Sequence, residues 1–199
     1  MAASAHRPWR ESPPPLEGPV DIDSLYRVYA AQVGRWAARL GGPSVEVEDV
    51  VQEVFLVAKR RLRTFDAGGG KITTWLFRTT ERIVKSARRK QRLRRLWGHS
   101  PEEILTVPDT SRALPGSALE RQQEIVHVYR VLDQLPERQR KVLILFELEG
   151  LPTAEIAALT GARVGTVRVW LYRARAAFLE RWERMFSSDG HDFKRSEST

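Results

Sequence analysis

Arginine and lysine carry most of the chemistry this chain can do. Between Arg78 and Arg95 stand nine basic residues and one acidic residue, Glu81, a surplus equal to the formal net charge of +8 for the whole chain. Basic side chains crowded this way gain by releasing the counterions of a polyanion's phosphates; the plainer alternative is a solvated basic face. A second set, Arg163, Arg168, Arg173 and Arg175, lies toward the C-terminus. Arg168 and Arg175 are seven residues apart and Arg168 and Arg173 five, so on a helix they fan over one broad side. Arginine suits bidentate contact with guanine or phosphate. Upstream lies a cluster of opposite sign, Glu46, Glu48, Asp49 and Glu53. Such a patch repels DNA and is expected to face protein or solvent.

Other chemistry finds little support. There is no cysteine, so no disulfide and no thiolate metal or redox site. His6, His99, His127 and His191 are scattered without metal-ligand spacing, and none accompanies a nucleophile. Gly70-Lys71 fails as a phosphate-binding loop, because Phe65 stands where its first glycine belongs and Ile72 replaces the needed Ser or Thr. No catalytic residue, metal or cofactor is expected. With 199 residues the chain suits one large domain or two small ones, and 42% hydrophobic residues suffice for a core. No apolar run approaches the ~18 residues that span a bilayer. Residues 1–20 hold Pro8, Pro13, Pro14, Pro15 and Pro19 and lack the apolar stretch of a secretory signal. The expectation is a soluble cytoplasmic protein with no membrane insertion.

The elements that position these residues are helical throughout. From Asp21, Leu25, Val28, Tyr29, Val33, Trp36 and Leu40 follow helical periodicity, stopped by Gly41-Gly42-Pro43. Ser44 is expected to cap the next helix, whose stripe is Val47, Val50, Val51, Val54, Phe55 and Ala58. Phe65 to Gly70 reads as a loop. A third helix starts at Thr73 or Thr74, passes through Trp75, Leu76, Thr79, Ile83 and Ala87, and runs into the basic block; its stripe assigns Trp75 to the core. Residues 97–117 read as a linker. From Ala118, Ile125, Val128, Tyr129, Leu132 and Leu135 line one face; Pro136 opens a further helix with Val142, Leu143 and Phe146 inward, ended by Gly150. No strand-like alternation is visible. The fold class is all-α: an arm at 1–20, a first helical domain at 21–96, a linker at 97–117, a second helical domain at 118–186 and a disordered tail at 187–199.

Within the second domain, Thr153 is expected to cap a short helix reaching Thr160, and Gly161 to turn the chain into a helix running from Val164 to about Met185. Short helix, glycine turn and second helix is the form of a DNA-binding helix-turn-helix. Ala157 is small where the helices approach, and Leu159, Val164 and Val167 can bury the corner.

Four segments in order resemble one family. Asp49-Val50-Val51-Gln52-Glu53-Val54-Phe55-Leu56 and Thr74-Trp75-Leu76-Phe77-Arg78, followed by a basic helix, resemble region 2 of bacterial sigma factors. Leu135-Pro136-Glu137-Arg138-Gln139-Arg140, and Val164-Gly165-Thr166-Val167-Arg168 with Arg173-Ala174-Arg175, resemble region 4. The chain is thus similar to the small two-domain sigma factors of the extracytoplasmic-function (ECF) group, over about residues 21–96 and 118–184. The resemblance implies a non-enzymatic subunit that recruits core RNA polymerase, recognises −10 and −35 promoter elements and helps melt DNA.

By that resemblance Asp49, Val50, Gln52, Glu53 and Phe55 meet the clamp helices of the polymerase largest subunit, and the second domain sits on the β-flap. The −10 element falls to a base-capture loop with Phe65, Asp66 and Lys71, and to Arg78, Arg82, Lys85, Arg88 and Arg89 of the basic helix. The −35 element falls to Arg163, Thr166, Arg168, Val169, Trp170, Tyr172, Arg173 and Arg175. Family members are commonly held by an anti-sigma factor, a partner that this sequence does not itself reveal. It departs from the family pattern at Arg82, Ser86, Val169 and Trp170. Valine can only touch a thymine methyl, and tryptophan cannot neutralise a phosphate, so no consensus promoter is carried over. The competing expectation is a LuxR-like one-component regulator, which would bind duplex DNA without polymerase; an adaptor built only for protein contacts fits the arginine-rich helix less well.

Overall fold

The computed structural model describes residues 21–61, 72–97 and 118–192. Among them are seven α-helices and no strand. Helix α1, Ile22–Gly41, starts where the Asp21 carboxylate accepts from the Ser24 backbone N–H at 2.8 Å and the Ser24 hydroxyl at 2.9 Å. These bonds favour the ionised form and hold the Asp21 carboxyl below its ordinary range. Leu25, Tyr29, Val33, Trp36 and Leu40, spaced three or four apart, are its buried face. At its end the Gly42 N–H donates to the Ala38 carbonyl, with φ +69. Ser44 caps nothing: it lies in a 3₁₀ turn, Gly42–Ser44, and α2 begins later, at Val47.

Helix α2 (Val47–Arg61) places Glu48 and Asp49 in its first turn, where the helix dipole favours negative charge. Helix α3 (Ile72–Leu96) crosses α1 and α2. The Trp36 and Phe77 rings meet edge to face, centroids 5.2 Å apart, both buried. Trp75 is half-buried against the same core.

The second group begins with α4 (Ala118–Leu132) and α5 (Glu137–Leu143), entered through Pro136. The chain then widens into a π-helical turn, Ile144–Leu148, closed by a bond of 3.1 Å from the Glu149 N–H to the Ile144 carbonyl. Gly150, at φ +66, ends it. Helix α6 is Thr153–Thr160, with Pro152 and not Thr153 in the capping position. Helix α7, Val164–Asp192, continues past Met185 into residues expected to form a disordered tail. The arm at 1–20, nearly all of the linker, and residues 193–199 lie outside the described residues.

The two groups pack against one another: α3 meets α6, α1 meets the π turn, and the 3₁₀ turn meets α4.

Candidate nucleic-acid interface

The helix-turn-helix forms as its spacing requires. Gly161 takes the left-handed conformation, φ +73 and ψ 16, and its N–H donates to the Ala157 carbonyl at 2.9 Å. Ile156, Ala157, Leu159 and Val167 are buried in the corner, with Val164 half-buried beside them. With Val167, Leu171 and Ala174 turned inward, the opposite arc of α7 presents Arg168, Val169, Tyr172 and Arg173 to solvent. Val169 and Tyr172 are 47% and 77% exposed, unusual for such side chains on a packed helix and suited to contact with base edges. Arg163 is exposed at the helix entry, and Thr166 is half-buried at the edge of the arc.

Two expected members of this set are turned aside. The Arg175 guanidinium pairs with Glu147 at 2.7 Å and lies 4.9 Å from the centre of the Phe146 ring, so it flanks the reading face and is committed to the π turn. Trp170 is half-buried, with the Arg138 guanidinium 5.6 Å from its ring centre. Arg138, exposed on α5, was not singled out by the sequence for DNA contact; its cation–π partner brings a positive charge to the flank of the recognition helix. The spacing of Arg138 and Trp170 in the sequence gives no signal for this contact.

On α3, Arg82, Lys85 and Arg89 are exposed and share one face, as their i, i+3, i+7 spacing dictates. Arg78 shares the phase of that face one turn earlier, and Arg88 lies on the neighbouring edge. The Arg78 Nε donates to the Leu159 carbonyl at 3.3 Å, and Arg88 pairs with Asp133. Phe65, Asp66 and Lys71 lie outside the described residues.

The acidic face of α2 also divides. Asp49, Gln52 and Glu53 are exposed, but Val50 and Phe55 are buried, at 2% and 6% exposure. Expected at a partner surface, these two instead hold α2 to the core, as their place on the apolar stripe demands. The exposed apolar groups near the acids are Leu56 and Tyr26, at 46% and 51%, with the Tyr26 ring edge-on to Phe55 at 4.8 Å.

A groove of about 310 Å³ opens along the second group, lined by Val128, Leu132, Leu143, Leu148, Phe178 and Leu179 among others. The Glu147–Arg175 pair lies at its edge. No cluster of His, Asp and Glu able to hold a metal occurs among the described residues, and no helix there is long and apolar enough to cross a membrane.

Comparison with known proteins bears on both helical groups. Residues 25–94 match the model of sigma-70 region 2, and residues 125–178 match that of sigma-70 region 4. The ECF RNA polymerase sigma-E factor of Escherichia coli (strain K12) is 34% identical over 145 residues, 68% of this chain and 73% of that protein. The ECF RNA polymerase sigma factor SigE of Mycolicibacterium smegmatis is 32% identical over 154 residues, 77% of this chain but 58% of that longer protein. Among solved structures, CnrH in complex with the cytosolic domain of CnrY is similar at a TM-score of 0.56 and 23% identity, covering 82% of this chain and 88% of that one. The sigma factor RpoE of Bartonella quintana, solved with the anti-sigma factor NepR, is similar at 0.56 and 22%, covering 80% and 95%. These two likenesses show a shared fold. With both regions matched in order and the helix-turn-helix built as described, the chain belongs to the ECF group of the sigma-70 family of RNA polymerase sigma factors.

Proposed function

We propose that this chain is a promoter-specificity subunit that binds core RNA polymerase, directs it to −10 and −35 elements and helps open the DNA. The observation that carries this reading is the pairing, on one chain, of a helix-turn-helix whose exposed arc bears Arg168, Val169, Tyr172 and Arg173 with a separate basic helix bearing Arg82, Lys85 and Arg89. A LuxR-like regulator has use for the first and none for the second. Residues 21–96 form the unit that meets polymerase and the −10 strand, and residues 118–186 the unit that meets the −35 duplex.

Asp49, Gln52 and Glu53, with Leu56 and Tyr26 beside them, offer the clamp helices of the polymerase an acidic face with an apolar margin. The apolar groove farther along α7 suits a helix of the β-flap. Arg138, held on Trp170, supplies a phosphate contact at the edge of the −35 site, while Val169 and Arg168 read bases. Arg82, Lys85 and Arg89 hold the backbone of the melted −10 strand, where cations and stacking surfaces replace duplex readout. An anti-sigma factor is a further partner, as for the Bartonella quintana protein. The polymerase performs the chemistry; this chain contributes position and electrostatics. It works in the cytoplasm, where the DNA is.

Run-off transcription on a promoter library, with core polymerase with and without the protein, tests this reading. Selective transcripts that depend on the protein are expected. Tight duplex binding by the protein alone, with no core-dependent transcript, would favour the regulator instead.

A further inference from the structure

The basic face of α3 changes character in its last turns. Arg82, Lys85, Arg89, Leu93 and Leu96 follow one another at steps of three and four, so a single stripe runs from charge into hydrocarbon. Trp97, four residues beyond Leu93, closes it. Phe77, Thr80 and Val84, on the buried side, lie across the helix, so phase keeps these three apolar groups out of the core. Leu93 is 40% exposed, Leu96 73% and Trp97 75%. The Trp97 N–H donates to the Leu93 carbonyl at 3.1 Å and to the Arg94 carbonyl at 3.2 Å, which fixes the backbone that carries the ring. Arg89, Arg92 and Arg94, all exposed, flank this tip. Leu96 and Trp97 lie past residue 94, where the match to sigma-70 region 2 ends.

What covers such a tip is set by its charge. The centre of a protein–protein contact is depleted of charged residues, whereas here the apolar groups are interleaved with arginine. An unpaired nucleobase asks for what is present: a flat ring to stack on, apolar edges beside it, and cations within reach of the neighbouring phosphates. The stripe also has a suitable length. Arg82 and Trp97 stand about 22 Å apart along the helix axis, the length of roughly six stacked nucleotides at about 3.4 Å each. A strand whose phosphates follow Arg82, Lys85 and Arg89 is therefore led to the tip.

We propose that Leu93, Leu96 and Trp97 form a base-stacking tip: the Trp97 ring stacks on an unpaired base of the opened strand, and the two leucines cover its apolar edge. The proposal rests on the reading of α3 as the helix that holds the melted −10 strand. It adds a contact with bases at the end of α3 opposite the Phe65 to Lys71 loop. Every base has a π face, so stacking favours opened DNA without choosing its sequence. A duplex, whose bases are already stacked on one another, gains only the phosphate contacts.

Fluorescence anisotropy of the full-length protein with labelled single strands of about 12 nucleotides tests this. One strand is oligo-dA, and the other carries the same phosphates on abasic sugars. The parent should bind oligo-dA about fivefold or more tightly than the abasic strand. Trp97→Ala should remove most of that preference while keeping the parent's affinity for the abasic strand and its salt dependence. Its melting temperature should match the parent's, since the ring is exposed. Trp97→Phe should keep most of the preference. Arg89→Ala should instead weaken both strands alike and lower the log–log salt slope by about 0.7. Equal binding of the two strands by the parent, binding of neither, or an undiminished preference in Trp97→Ala would overturn the proposal. Vesicles of phosphatidylserine and phosphatidylcholine that bind the parent but not Trp97→Ala, alongside a base preference indifferent to Trp97, would assign the tip to a membrane surface instead. None of these outcomes bears on core-dependent transcription, which tests the sigma-factor reading separately.

Discussion

Gly42 lies so close to the ring of Tyr129 that a β-carbon on it would stand 2.5 Å from Cδ1. Its backbone, φ +69 and ψ −165, is in a region that glycine alone occupies readily. Gly42→Ala therefore meets strain and a clash together. The backbone alone costs about 1–3 kcal/mol. The melting temperature should fall by several degrees, and by more than for Gly165→Ala, where a β-carbon meets open space.

Truncating a ring at the centre of the first domain should cost more. Phe77 is wholly buried against Trp36. Phe77→Ala should destabilise by about 3–5 kcal/mol, read from urea unfolding. An unfolding midpoint unchanged from the parent would contradict the edge-to-face packing described.

The arginines of α7 should separate into two kinds. Arg168→Ala and Arg173→Ala should each weaken promoter binding and lower the salt dependence by about one unit in the log–log slope. Arg175→Ala should leave that slope near the parent's and lower stability instead, because its guanidinium is held by Glu147 and Phe146. Trp170→Ala, which removes the ring beneath Arg138, should resemble Arg138→Ala in its loss of duplex affinity.

The same division is expected on α2. Asp49→Lys and Glu53→Lys should weaken binding to core polymerase, measured by fluorescence anisotropy, with the melting temperature little changed. Val50→Ala should lower the melting temperature first, since Val50 is buried.

Glu149 is 7% exposed, and burial pushes its carboxyl up, against the smaller opposing pull of Arg39 and Arg35. The folded state thus keeps a proton that the unfolded chain has released. Stability from this group is greatest below the ordinary carboxyl pKa and is lost as pH rises through the raised value. Glu149→Gln should match the parent at pH 4 and gain on it toward neutrality, as read from paired thermal melts.

Much of this was legible in the sequence because period and punctuation agree. The α1 stripe, the Gly161 turn and the buried corner at Leu159 and Val167 follow from spacing alone. What was not legible depends on neighbours distant in the chain. Val50 and Phe55 lie within a recognisable motif, yet motif membership does not distinguish residues that shape a surface from those that form it. Arg175 shares the phase of Arg168, but a carboxylate in a π turn claims it. Ser44 and Thr153 look like helix caps by type; a proline beside each fixes the backbone differently. Tyr129 and Arg140 join helices 90 and 100 residues away, pairings that no local pattern encodes.

Helix α7 has one further consequence. Its 29 residues span about 43 Å without interruption. The near part, Arg168 to Arg173, carries the arc proposed to face DNA, and the later part, Phe178 and Leu179, forms a wall of the apolar groove. Whatever protein sits in that groove is therefore geared to the base pairs: each added residue between the two parts would turn one against the other by about 100°. On the proposed reading, the rotational phase between polymerase and promoter is written into the length of a single helix.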